Sequence, residues 1–173
     1  MSRPGERRKF RRFRAEFIGL FLIGCATVSP FNEAIRGRVD PAFTPARVLV
    51  DHAHGKGREV LWGGTILASR NLADSTEIQV LAYPIDHAGK PRIKDDAALG
   101  RFIVVQKGYL ETARYAPGRA ITVHGRVVGI QDVTVGAFSY RQPLVDSMQL
   151  HLWRPASRGG PVFRFGFGFA SGF

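Results

Sequence analysis

Cysteine is nearly absent: Cys25 is the only one in 173 residues. A single thiol excludes an intramolecular disulfide, and a lone cysteine in an exported chain needs a reason of its own. No apolar run is long enough for a membrane helix. The run from Phe17 to Val28 is about a dozen residues, against roughly 20 needed to span a bilayer. Also missing are a glycine-rich phosphate loop and a Gly-x-Ser-x-Gly nucleophile elbow. Basic runs are absent beyond residue 24. The net charge is +11, but seven of the 25 basic and two of the 14 acidic residues fall within 1–24, leaving +6 thinly spread. Such a surface offers no continuous track for phosphates.

What is present begins with an ordered N-terminus. A basic arm from Arg3 to Arg14 is followed by apolar Phe17 to Ile23, then Gly24 and Cys25. That is the order of a secretory signal. Leu22-Ile23-Gly24-Cys25 resembles the lipobox of bacterial lipoproteins. The resemblance implies signal-peptidase recognition through Leu22, Ile23 and Gly24, cleavage before Cys25, and acyl chains such as palmitate on Cys25. Two or more chains give stable anchoring where one is marginal. Ala26 at the next position implies sorting to the outer membrane. Arg7-Arg8-Lys9-Phe10 also resembles, more faintly, a twin-arginine signal.

The body reads as β. With 20 glycines and 13 phenylalanines, short strands and tight turns are expected. Val60, Trp62, Gly64 and Ile66 alternate with their neighbours, as do residues 76–83. Residues 101–106 form a short apolar run. In 120–130, Ile121, Val123, Gly125 and Val127 share one side, with Thr122, His124 and Arg126 on the other, outward side. Residues 145–153 close the set. Five strands, with one gap at 108–118 able to hold a helical turn, predict a mainly β, OB-like five-stranded barrel; a β-sandwich is the alternative. Gly63-Gly64, Gly125 and Gly129 would supply the bends. The expected divisions are 1–24 signal peptide, 25–57 flexible tether and lead-in, 58–154 barrel, and 155–173 a Phe/Gly-rich tail.

The body resembles the Slp outer-membrane lipoproteins of Gram-negative bacteria. The resemblance is carried by Val60-Leu61-Trp62-Gly63-Gly64 with Ile66, Gln79 to Asp86, Gly100-Arg101-Phe102, Gly108 to Glu111, Tyr115 to Arg119, Thr122 to Gly125, Tyr140 with Pro143-Leu144-Val145, and Leu152-Trp153. It implies a lipid-anchored envelope protein facing the periplasm, associated with starvation or stress, and no catalytic residues. Outer-membrane lipid is the expected partner, with other envelope proteins a further one; a nucleic-acid-binding OB module is the alternative function. No cofactor or metal is expected beyond the covalent lipid.

Other residues were weighed against plainer roles. His52 and His54 read as solvated loop histidines rather than metal ligands. His124, His151 and Asp146 form a weak candidate metal set. Ser139, Ser147, His124 and Asp132 carry the letters of a triad without its elbow. Asp86, Asp95 and Asp96 lie among Lys90, Arg92 and Lys94, as in a solvated mixed-charge loop. Arg101 and Arg119 are candidates for contacting a partner or headgroup. In the tail, Phe163, Phe165, Phe167 and Phe169 alternate with small or basic residues up to Phe173, which resembles the terminal strand of an outer-membrane barrel.

Overall fold

β-Branched and aromatic side chains at every second position bury one face of each strand and leave the other to solvent or to a covering segment. The computed structural model describes residues 29–93, 97–135 and 138–155. Its strands are β1 (Glu59–Asn71), β2 (Ser75–Tyr83), β3 (Arg101–Lys107), β4 (Ala120–Val135) and β5 (Phe138–Leu152). They close into a barrel in the order β1-β2-β3-β5-β4. All neighbours are antiparallel except β3 and β5, which run parallel through Ile103–Leu144 and Val104–Val145. This is the OB-like barrel read from the sequence. β4 and β5 are longer than read, because their hairpin continues beyond the barrel with Asp132 opposite Arg141 and Val133 opposite Tyr140.

The interior is filled by the alternating residues. Val60, Trp62, Ile66, Ile78, Val80, Phe102, Val104, Ile121, Val123, Val127 and Val145 are all buried there. Trp62 and Phe102 meet edge to face at 5.1 Å. Two glycines are required by close approach. A Cβ at Gly64 would collide with the Leu81 carbonyl, and one at Gly125 with the Asp146 carbonyl. The register shifts at His124/Gly125 and Val127/Gly129 show that this stretch does bend the sheet.

The lead-in differs from the flexible tether expected. From Ser29 onward it is ordered as α1 (Glu33–Arg38), α2 (Pro45–Val50) and α3 (His52–Gly55). Asn32 caps α1, its Oδ1 accepting from Ile35 N at 2.9 Å, and Thr44 with Pro45 starts α2. Phe43 and Val48 enter the barrel core, while Phe31 and Ile35 form a second small core with Leu61. The physical reason is burial: four apolar side chains at irregular spacing are covered by the barrel wall, although no helical period announces them.

That packing also corrects the orientation of β4. Thr122 is fully buried and His124 is 3% exposed, because the lead-in and the 84–92 loop lie on their face. Thr122 Oγ1 donates to Gly89 O at 2.6 Å and accepts from Trp153 Nε1 at 2.9 Å. Residues 108–119 contain a turn closed by Arg114 N to Glu111 O at 2.9 Å, as the gap between β3 and β4 suggested, and a second closed by Arg119 N to Ala116 O at 3.3 Å.

Candidate functional site

The outer faces of β1, β2 and β3 carry the residues that alternate with the core. On β1 and β2 these include Ala68 opposite Gln79 and Arg70 opposite Glu77. On β3 they are Arg101 and Ile103, flanking core residue Phe102. The projecting β4–β5 hairpin faces this wall. Between them lies a cleft of about 340 Å³ bounded by Arg70, Glu77, Gln79 and Ile103 on one side and Gln131 to Thr134 on the other. Directly opposed residues of an antiparallel pair share a face, so Gln131 and Gln142, and Val133 and Tyr140, lie together on the hairpin. The Arg101 guanidinium sits over the Tyr140 ring at 5.2 Å.

The cleft is lined by polar and apolar side chains together. Arg70 is paired with Glu77 at 2.6 Å, Asp132 on the hairpin stands opposite Arg141, and Arg101 adds a positive charge beside Tyr140. Gln79 Nε2 is buried with no hydrogen-bond partner among the described residues, and the same holds for both polar side-chain atoms of Gln142. Phe138 and Tyr140 present rings to solvent, 69% and 42% exposed.

A second, more apolar pocket of about 600 Å³ lies where the lead-in meets the barrel, among Arg36, Val39, Leu61, Tyr83 and Ile85. Beside it is a charged cluster. Glu59 accepts from His124 Nε2 at 3.3 Å and meets Arg38 at 3.5 Å and Arg126 at 3.4 Å. The His124 hydrogen bond, with Arg38 and Arg126 behind it, holds the Glu59 carboxyl below the usual range. Glu59 was not singled out from the sequence; its strand-opening position beside a turn carries no motif.

The other sequence candidates fall into place. His124 and His151 do share a face, but His124 bonds Glu59 while His151 meets Phe31 and Trp153 edge to face. Ser147 Oγ is buried without a partner, and Ser139 sits on the exposed hairpin; neither meets His124, so no triad forms. Asp86 organises its own loop by accepting from Ala88 N and Lys90 N. Arg119 is used structurally, donating to Arg114 O and Trp153 O. His54 bonds Asp51 at 2.7 Å on the surface, and this bond lowers the Asp51 pKa. Leu22, Ile23, Gly24, Cys25 and Ala26 lie outside the described residues, as do Lys94, Asp95, Asp96 and the Phe163–Phe173 tail. Among the described residues no helix is long and apolar enough to cross a membrane.

These features define a small closed β-barrel of OB-like topology, with a packed helical lead-in and a cleft on its outer wall. The model of the outer membrane lipoprotein Slp family matches residues 22–164, and the chain belongs to this family. An uncharacterized protein of Haemophilus influenzae is 29% identical over 96 residues, covering 56% of this chain and 52% of the relative. The chain thus aligns with about half the length of that relative. Among solved structures, a small single-stranded DNA-binding protein from Streptomyces coelicolor aligns over 56% of this chain and 94% of its own, at 16% identity and a TM-score of 0.33. A match that loose carries no functional argument.

Proposed function

We propose that the chain is anchored in the outer membrane through acyl groups on Cys25, with the barrel facing the periplasm as a structural or binding module of the envelope. One observation carries this reading: the family match begins at Leu22, so Leu22-Ile23-Gly24-Cys25 lies inside it. The order of basic arm, apolar run and small residue before Cys25 supports export and lipidation. Ala26 supports sorting to the outer membrane. The starvation or stress setting rests on the family resemblance. The nucleic-acid alternative gains little from the cleft, where Arg70 is paired with Glu77, Asp132 stands opposite Arg141, and Arg101 lies alone on the Tyr140 ring.

The test is the intact mass of the chain extracted from bacterial membranes, beside Cys25→Ser. The expected wild-type mass is that of residues 25–173 plus acyl groups, with the acyl increment absent from the variant. A full-length unmodified chain in the soluble fraction overturns the reading.

A further inference from the structure

We propose that the cleft between the β1–β3 wall and the β4–β5 hairpin binds a chain of N-acetylated amino sugars. The inference names the ligand class of the binding module proposed above and rests on that reading, while standing on separate residues.

The chemistry of the lining points to an uncharged, hydrogen-bonding polymer. Gln79 and Gln131 bring side-chain amides to opposite walls, and each amide can both donate and accept. The Gln79 amide nitrogen is buried with no partner among the described residues. Burying an unmatched donor is costly, and a turn of this side chain toward the cleft would give the amide a partner that accepts. A sugar acetamido carbonyl or a ring hydroxyl is such an acceptor. Tyr140, steadied by Arg101, and Phe138 add exposed rings on the hairpin arm, suited to the flat C–H face of a pyranose. The position is also apt: the strand 2–3 face and the hairpins beside it are where barrels of this topology accept oligonucleotides and oligosaccharides.

Charge and main-chain pairing separate sugar from other polymers. Arg70 is paired with Glu77 and Asp132 stands opposite Arg141, which leaves Arg101, held on the Tyr140 ring, as an isolated positive charge and no continuous track for phosphates. A peptide adding as a strand needs a free edge; β2 on the floor of the cleft is paired to β1 on one side and β3 on the other, so a peptide strand could add only along the outer edges of the hairpin arm.

The experiment is calorimetric titration of the full chain in detergent with the tetramer of N-acetylglucosamine, alongside Gln79→Leu and Tyr140→Ala. Saturable binding is expected, weakened about tenfold or more by each variant, the scale of one lost hydrogen bond or ring contact. Thermal melting checks that each variant folds; Tyr140, on the exposed arm, keeps the test sound if Gln79→Leu does not. No saturable binding overturns the proposal, as does binding that both variants leave unchanged. Displacement of the sugar by a single-stranded oligonucleotide or an extended peptide at lower concentration overturns it too. Cys25→Ser should titrate like the parent chain, so a failed titration and a failed lipidation are read separately.

Discussion

The indole Nε1 of Trp62 donates to the carbonyl of Phe43 at 2.7 Å. This bond crosses from the barrel core to the lead-in, and the two rings lie 6.5 Å apart. The lead-in is therefore part of the folded body. Phe43→Ala should lower unfolding free energy by about 3–5 kcal/mol, as for other buried phenylalanines. Urea denaturation measures it; a cost below about 1 kcal/mol would show the barrel to be indifferent to the lead-in.

Thr122 joins β4, the 84–92 loop and Trp153 through a single hydroxyl. Thr122→Val keeps the shape but strands the Gly89 carbonyl and the Trp153 indole. A loss of about 1–3 kcal/mol is expected. Serine at this position should recover more of the stability than valine, since it restores the hydroxyl.

Glycine substitutions should divide by location. Gly64→Ala and Gly125→Ala force a Cβ onto neighbouring backbone and should destabilise by several kcal/mol or prevent barrel closure. Gly37 lies in α1 with open space around its Cβ position, so Gly37→Ala should stabilise by about 0.5–1 kcal/mol. Melting temperatures of the three variants decide it, and equal effects would refute the assignment.

Glu59 gives the barrel an acid-sensitive point. Its folded pKa is lowered from 4.5 by the His124 hydrogen bond, then by Arg38 and Arg126. A depressed carboxylate stabilises the fold above its unfolded pKa, and that contribution fades as pH falls through the lower folded value. Melting temperature should therefore drop below pH 4.5, and Glu59→Gln should flatten that part of the profile. An unchanged acid limb in the variant would assign the loss to other groups.

The barrel was legible because its strands alternate strictly. Ile121, Val123 and Val127 point inward as their spacing requires, and the order of strands with a single wide gap suggested the topology. The lead-in was not legible. Its longest helices have six residues, less than two turns, so no apolar stripe can repeat. Only the caps at Asn32 and at Thr44 with Pro45 gave local notice. Thr122 and His124 misled for a related reason: polar residues alternating with apolar ones indicate a solvent face unless a distant segment returns to cover it. The cleft was hidden because it depends on a hairpin arm facing the wall of its own barrel. Arg101 stood out by charge, while Gln79 and Asp132 of the same surface were marked for other reasons, a family resemblance and the letters of a triad.

Ser29 is where the described chain becomes fixed. Its hydroxyl donates to Ala88 O at 2.8 Å and accepts from Arg36 at 3.0 Å, and Gln149 holds the next carbonyl, that of Pro30, at 2.9 Å. With a lipid on Cys25, three residues separate that mooring from the anchor, and the four steps from Cys25 to Ser29, fully extended, reach at most about 14 Å. Anchored as proposed, the barrel would be berthed close against the bilayer. Its encounters would then be confined to a thin layer along the membrane, where whatever enters the layer would meet it at high local concentration and whatever stays farther off would not meet it at all.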